Sequence, residues 1–213
     1  QPVEGFSALL PGREPGEVLA MPDNGYGGKA NSRDFLIRAY YVRPDFRTRA
    51  GGTGGIEVGD YIEFADPDHL IGFPIVREGT AERWLTGGDI DPESLQRGDL
   101  WLGDEFGPWI LHFDPSGNLV EPPIALPDGL MSPNNPHLVG PATVNNSRGI
   151  EAMAMTPDGG QLIVVLEGAV PGDDPFSRRV YRYDIAAGKS LNDMTRRPVQ
   201  PAALGGGMDK VTE

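Results

Sequence analysis

The sequence predicts an all-β protein with the architecture of a β-propeller. Gly and Pro account for 30 and 21 of the 213 residues, so turns are frequent along the chain. Short runs of Val, Ile, Leu and aromatic residues lie between these turns, as expected for many short strands. The third observation is internal repetition, because three segments share one order of strand, turn, strand and strand.

The first repeat begins with a predicted strand at residues 5–10, followed by the turn PGREPG at 11–16. A second strand starts at residue 18 and ends in the acidic residue Asp23, and a third covers 35–42. The segment 61–64 is expected to supply an outer fourth strand. Antiparallel units of three or four strands are typical of propeller blades.

The second repeat follows the same order. A strand is expected at residues 91–95, a turn at 97–99, a second strand at 100–105 and a third at 109–113. As in the first repeat, the second strand ends in an acidic residue, here Glu105.

The third repeat has the strongest turn signal. A strand at 149–155 meets the turn TPDGG at 156–160, and the β-branched run 161–166 ends at Glu167. In this turn Pro presets φ, Asp bonds its own backbone and Gly supplies positive φ, which predicts a hairpin. A third strand is expected at 179–184.

These repeats place blades at about residues 3–66, 84–127 and 144–192 of one incomplete propeller domain, 1–213. About three blades do not close a ring, since propellers typically have about four to eight. The sequence therefore predicts part of a six- or seven-bladed ring. The remainder is expected from a continuation of the chain beyond Glu213 or from another chain.

Charge and composition exclude several classes of function. The net charge of −13, with 31 acidic against 18 basic residues, disfavours nucleic acid as a partner. No cysteine is present, so disulfides and thiolate metal sites are excluded. No run reaches the roughly 20 apolar residues of a transmembrane segment. A serine esterase is disfavoured because no G-x-S-x-G elbow occurs.

Carboxylates recur at matched positions of the repeats. Asp23, Glu105 and Glu167 each end a second strand, and Glu93 and Glu151 each lie near the start of a first strand. The first strands of propeller blades line the axial channel, so matched side chains form rings around it. Crowded carboxylates raise one another's pKa, and a bound cation relieves that cost.

Oxygen ligands of irregular geometry favour Ca²⁺ over Mg²⁺, and the three histidines (His69, His112 and His137) make zinc a poor match. The alternative is that the acids cap hairpins or pair with arginines. The predicted calcium ligands are Asp23, Asn24, Glu93, Asp104, Glu105, Glu151 and Glu167.

Five stretches carry a resemblance to a known family. Residues 84–95 and 100–108 (LWLGDEFGP) resemble its LTG-D-D-ES and W-GDEFGP signatures, and 111–114 matches its LHFD. Residues 21–27 resemble its DNG-G element, and 148–154 resemble its RG-EG-A element, with Ala152 in place of the usual glycine. The chain is thus similar to the family with "esterase-like activity of phytase", from about Val3 to Asp184.

The resemblance implies a phytase-like propeller, ester hydrolysis and an extracellular or periplasmic location, which the start at Gln1 instead of Met would suit. A small-molecule ester would bind next to Ca²⁺, which stabilises developing charge and polarises water. Glu105 and Asp104 are the predicted catalytic carboxylates. The candidate substrate-binding cations are Lys29, Arg33 and Arg148.

Two other functions stay open at this point. The first is a non-catalytic propeller for binding or assembly, in which calcium is purely structural. The second is a lactonase-like enzyme, because related propellers place one axial metal among Glu, Asn and Asp.

Overall fold

A computed structural model describes residues 5–191 and 197–198 of the chain. Its first sheet contains β1 (Phe6–Pro11), β2 (Val18–Pro22), β3 (Arg38–Pro44) and β4 (Ile56–Glu63), antiparallel in that order. The predicted third strand thus begins later than residue 35. The amide of Ile37 instead donates to the carbonyl of Leu85 at 3.0 Å, so this segment pairs with a distant part of the chain.

The second sheet repeats this plan with β5 (Pro92–Gln96), β6 (Leu100–Asp104), β7 (Trp109–Phe113) and β8 (Ile124–Ala125). A 3-10 turn follows at Pro127–Gly129. The connection between β6 and β7 carries the Gly107–Pro108 cis peptide bond.

The third sheet contains β9 (Ile150–Met155), β10 (Gln161–Leu166), β12 (Val180–Asp184) and β13 (Lys189–Leu191). Between β9 and β10 the predicted hairpin turn is confirmed, with Gly159 at φ 72° and the Thr156 amide donating to the Gln161 carbonyl at 2.9 Å. An unpredicted pair, β11 (Ser177–Arg178) and β14 (Arg197–Pro198), forms a separate two-stranded sheet.

Two apolar cores hold the three sheets together. Leu102 on β6 packs into the core shared with the first sheet, whereas its neighbour Trp101 packs into the core shared with the third. Alternate side chains of a strand point to opposite faces, so a sheet between two others is apolar on both. Every residue of β6 is accordingly buried, while β4 on the outer edge is largely exposed.

The first strands of the sheets, β1, β5 and β9, lie side by side, with the later strands of each sheet farther from them. This is the arrangement of propeller blades around an axis. The predicted all-β, propeller-like fold is confirmed. The six- or seven-bladed ring and the blade boundaries stay predictions, and residues 3 and 192 and any continuation beyond Glu213 lie outside the described residues.

Within the described part of the chain, no helix is long and apolar enough to cross a membrane.

Candidate functional site

The strand ends bring the matched carboxylates to one end of the sheets. Asp23, Glu105 and Glu167 directly follow β2, β6 and β10. Glu93 and Glu151 are the second residues of β5 and β9. Antiparallel pairing sets the start of each first strand opposite the end of the second, as in the Pro92–Asp104 and Ile150–Leu166 pairs. The two sets of acids therefore meet.

They meet in a cavity of about 260 Å³ that contains six carboxylates and one guanidinium. Its lining residues are Asp23, Asn24, Gly27, Asp91, Glu93, Glu105, Ser147, Arg148, Glu151 and Glu167. All of the predicted calcium ligands except Asp104 are in this set.

Two trios of carboxylates lie close enough to share a cation. Asp91, Glu93 and Glu105 form the first trio, and Glu105, Glu151 and Glu167 the second, with one oxygen of each residue within 4.8 Å of the others. Two oxygens on one Ca²⁺, each at about 2.3–2.6 Å, lie up to roughly 5 Å apart, so this spacing fits the ion. Glu105 belongs to both trios.

Asp91 was missed by the sequence analysis, and it is the most deeply placed acid of the first trio. It is 5% exposed, and its Oδ1 has no hydrogen-bond partner. Its carboxylate accepts a hydrogen bond from the Asn24 backbone amide. The signal was the spacing of Asp91 and Glu93, because side chains two residues apart on a strand share a face.

Crowding and burial raise the pKa of the cavity carboxyls. Burial is the main cause for Asp91, followed by the charges of Asp104 and Glu105, and raises its pKa to about 8. Burial and the charge of Asp91 raise the pKa of Glu93 to about 8, although a hydrogen bond from Ser7 opposes the shift.

The same causes act on the shared residue of the two trios. Burial, followed by the charges of Glu93 and Glu167, raises the pKa of Glu105 to about 8. Burial and the charge of Glu167 also raise the pKa of Glu151. A divalent cation would remove this cost by neutralising the charges that repel one another.

Asp104 does not line the cavity, but its carboxylate accepts hydrogen bonds from backbone amides next to it. It is fully buried, and its Oδ1 accepts from the amide of Asp91 at 2.8 Å while Oδ2 accepts from Gly107 at 2.6 Å. Burial raises its pKa to about 6, and these amide hydrogen bonds oppose the shift. This geometry orients Asp91 and the turn after Glu105.

Asp23 and Asn24 shape the opposite wall. Asp23 Oδ1 accepts from the Gly25 amide at 2.7 Å, and Asn24 Oδ1 accepts from the Gly27 amide at 2.8 Å. Gly87 packs directly against this turn, where an added Cβ would lie 1.9 Å from the Asn24 carbonyl oxygen. The loop that contains Gly87, before β5, therefore packs closely against the Asn24 turn and restricts its position.

The three candidate substrate-binding cations have different positions. Arg148 lines the cavity and forms an ion pair with Glu167. Lys29 Nζ donates instead to the Asn134 carbonyl at 2.9 Å, and burial lowers the pKa of Lys29. Arg33 is exposed, and neither it nor Lys29 is among the lining residues.

The fold and the cavity together define a propeller-like β protein with an acidic centre suited to a divalent cation. The chain belongs to the Phytase-like family, described as "esterase-like activity of phytase", whose model matches residues 1–212. No curated protein matches the chain, and no solved structure does. Membership indicates a hydrolase-type function, and the family is generally calcium-dependent.

Proposed function

We propose that this protein is a calcium-dependent hydrolase of small phosphate or carboxylate esters that works outside the cytoplasm. The observation that carries the proposal is the buried Asp91 Oδ1, which has no hydrogen-bond partner inside a cavity of crowded carboxylates. Leaving a buried carboxylate oxygen unpaired is costly, whereas binding a cation makes it favourable.

The residues present suit a calcium ion. The first trio offers only carboxylate oxygens, and the Asn24 turn adds amide and carbonyl groups beside them. The lining set contains neither histidine nor cysteine, the ligands that zinc prefers. Asp91, Glu93 and Glu105 are the proposed ligands, with Asp23 and Asn24 completing the wall and Asp104 positioning Asp91.

When bound, Ca²⁺ would stabilise negative charge on the ester oxygen and make a neighbouring water more acidic. Glu105 is the proposed proton acceptor, because a carboxylate can bind a cation through one oxygen and accept a proton at the other. Arg148 is the one cation among the lining residues and is the proposed contact for a negatively charged substrate group.

An extracytoplasmic location would suit a calcium site of modest affinity, because extracellular calcium modules work with Kd values of roughly 10⁻⁴–10⁻³ M. Family membership points the same way, as the sequence resemblance implies.

A second candidate function is a non-catalytic protein in which calcium only stabilises the fold. It is favoured by the position of the cavity, since the lining acids come from the first, second and third sheets. A cation held by Asp91, Glu93 and Glu105 would lower the repulsion among these acids and so stabilise the packing of the sheets around them.

Activity and stability measured on the same protein separate these functions. The metal-stripped protein would be assayed with and without Ca²⁺ on p-nitrophenyl phosphate, phytate, short acyl esters and lactones, and its thermal unfolding recorded in parallel. The proposal expects calcium-dependent turnover of a phosphate or acyl ester. A calcium-dependent melting temperature without any turnover would support the structural role, and turnover of lactones alone would indicate a lactonase.

A further inference from the structure

The turn that follows Glu105 is held by two side chains from a distant loop. The hydroxyl of Ser132 donates a hydrogen bond to the Phe106 carbonyl at 2.5 Å. Asn135 Nδ2 donates to the Gly107 carbonyl at 2.7 Å, and the Ser132 amide donates to the same carbonyl at 3.2 Å. Both side chains are buried, so moving the turn away from them would leave polar groups without partners.

Asp104 holds the same turn from the other side. Its carboxylate accepts from the amides of Phe106 and Gly107, so every backbone polar group of these two residues has a partner. Before the turn, the Glu105 amide donates to the Asp91 carbonyl at 2.9 Å. Glu105 thus lies between two fixed points of the backbone. A main-chain rotation that moved its carboxylate away from Asp91 would break at least one of these hydrogen bonds.

The loop segment that supplies Ser132 and Asn135 is itself anchored to the first sheet. Lys29, in the connection between β2 and β3, donates from Nζ to the Asn134 carbonyl at 2.9 Å. The same ammonium group lies 5.1 Å from the centre of the Phe106 ring, a distance at which a cation and an aromatic ring attract each other. One lysine therefore contacts both the loop segment and the turn, and keeps them together.

We infer that Ser132 and Asn135 are positioning residues for Glu105, which hold the Phe106–Gly107 turn so that Glu105 reaches the same cation as Asp91. Neither residue is among those that line the cavity. The inference rests on the proposed function, because it requires a calcium ion bound by the first trio. It adds that a loop outside the cavity sets the calcium affinity through the backbone of the second sheet.

Calorimetric titration of the metal-stripped full chain with Ca²⁺, together with urea unfolding in EDTA, tests this inference. The variant is Ser132→Ala and the matched control is Ser177→Ala. Ser177 is also buried, and its hydroxyl donates to the Asp174 carbonyl at 2.7 Å in a part of the chain that does not line the cavity. Each variant loses a buried hydrogen bond, so both should unfold at a urea concentration about 0.5 M lower. Ser132→Ala alone should bind Ca²⁺ about tenfold more weakly.

A double-mutant cycle with Glu105→Gln separates positioning from a general loosening of the protein. If Ser132 acts through Glu105, adding Ser132→Ala to Glu105→Gln should weaken calcium binding by less than about twofold further. Asn135→Ala removes the other side-chain contact with the turn and should give the same pattern. It takes the place of Ser132→Ala if that variant does not fold.

Three results would refute the inference and leave the proposed function standing. They are wild-type calcium affinity in Ser132→Ala, an equal loss of affinity in Ser177→Ala, and a full additional loss when Ser132→Ala is combined with Glu105→Gln. Absence of any Ca²⁺ binding to the wild-type protein would refute both.

Discussion

The backbone amide of Glu105 donates a hydrogen bond to the carbonyl of Asp91 at 2.9 Å. This contact joins the end of β6 to the residue that precedes β5, and it sets the two carboxylates beside each other in the cavity. The pair combines the unpartnered oxygen of Asp91 with the residue shared by both trios, so this backbone contact connects the two groups of carboxylates.

The Glu105→Gln substitution removes a charge from both trios. We expect the metal-free variant to melt at the wild-type temperature or slightly higher, because a buried charge that repels its neighbours is gone. Calcium affinity should fall about tenfold or more, since ligand charge sets the affinity of calcium sites. Calorimetry and thermal unfolding check this, with the exposed Glu57→Gln as control. Wild-type calcium affinity in Glu105→Gln would contradict the assigned ligand role.

Asp104→Asn should act differently, because Asp104 holds backbone amides of Asp91 and Gly107. An asparagine presents an NH₂ group to one of these amides, which leaves buried donors unpaired at a cost of about 2 kcal/mol. Urea unfolding should show this loss both with and without calcium. If Asp104→Asn instead keeps wild-type stability in EDTA and loses only the stabilisation by calcium, Asp104 is a direct ligand, as the sequence predicted.

Stability without metal should decrease as the pH rises. Asp91, Glu93 and Glu105 have pKa values of about 8 in the folded protein, against roughly 4 in the unfolded chain. Between these values the folded state binds more protons, so the free energy of unfolding falls with increasing pH. In EDTA we expect the melting temperature to be about 5 °C or more lower at pH 8 than at pH 5.

Saturating Ca²⁺ should remove most of that decrease, because the ion binds the deprotonated carboxylates. The pKa values of Asp114 and Asp158 are lowered, so both groups titrate below pH 5 and do not change the stability between pH 5 and pH 8. Thermal unfolding at several pH values, with EDTA or Ca²⁺, provides the measurement, and Glu105→Gln should have a shallower dependence. A metal-free protein whose melting temperature rises from pH 5 to pH 8 would contradict this prediction.

Gly149→Ala tests the close approach of the third sheet to Glu105. The new Cβ would lie 2.5 Å from the Glu105 carbonyl oxygen, and backbone on both sides leaves little room to move. We expect a loss of about 2–3 kcal/mol in the free energy of unfolding, together with weaker calcium binding. Gly79→Ala is the matched control, since its Cβ would have no neighbour within 4 Å. Equal stability of the two variants would show that the approach is not restrictive.

Much of the fold could be predicted from sequence because strands and turns are local. The TPDGG turn at 156–160 specifies its hairpin by residue type, and strand period explains why Glu93 and Glu151 occupy equivalent positions. The late start of β3 could not be predicted in this way. It follows from the hydrogen bond between Ile37 and Leu85, a contact between segments far apart in sequence.

The sequence by itself determined the all-β class and the matched acids that end successive strands, because turn chemistry and side-chain alternation are properties of short segments. Tertiary structure decided which acids face the cavity. It buried Asp91 there without a partner for Oδ1, turned Asp104 to backbone amides and placed Lys29 against Asn134. These outcomes depend on burial and on hydrogen-bond partners from other segments, and neither exists until the sheets pack together.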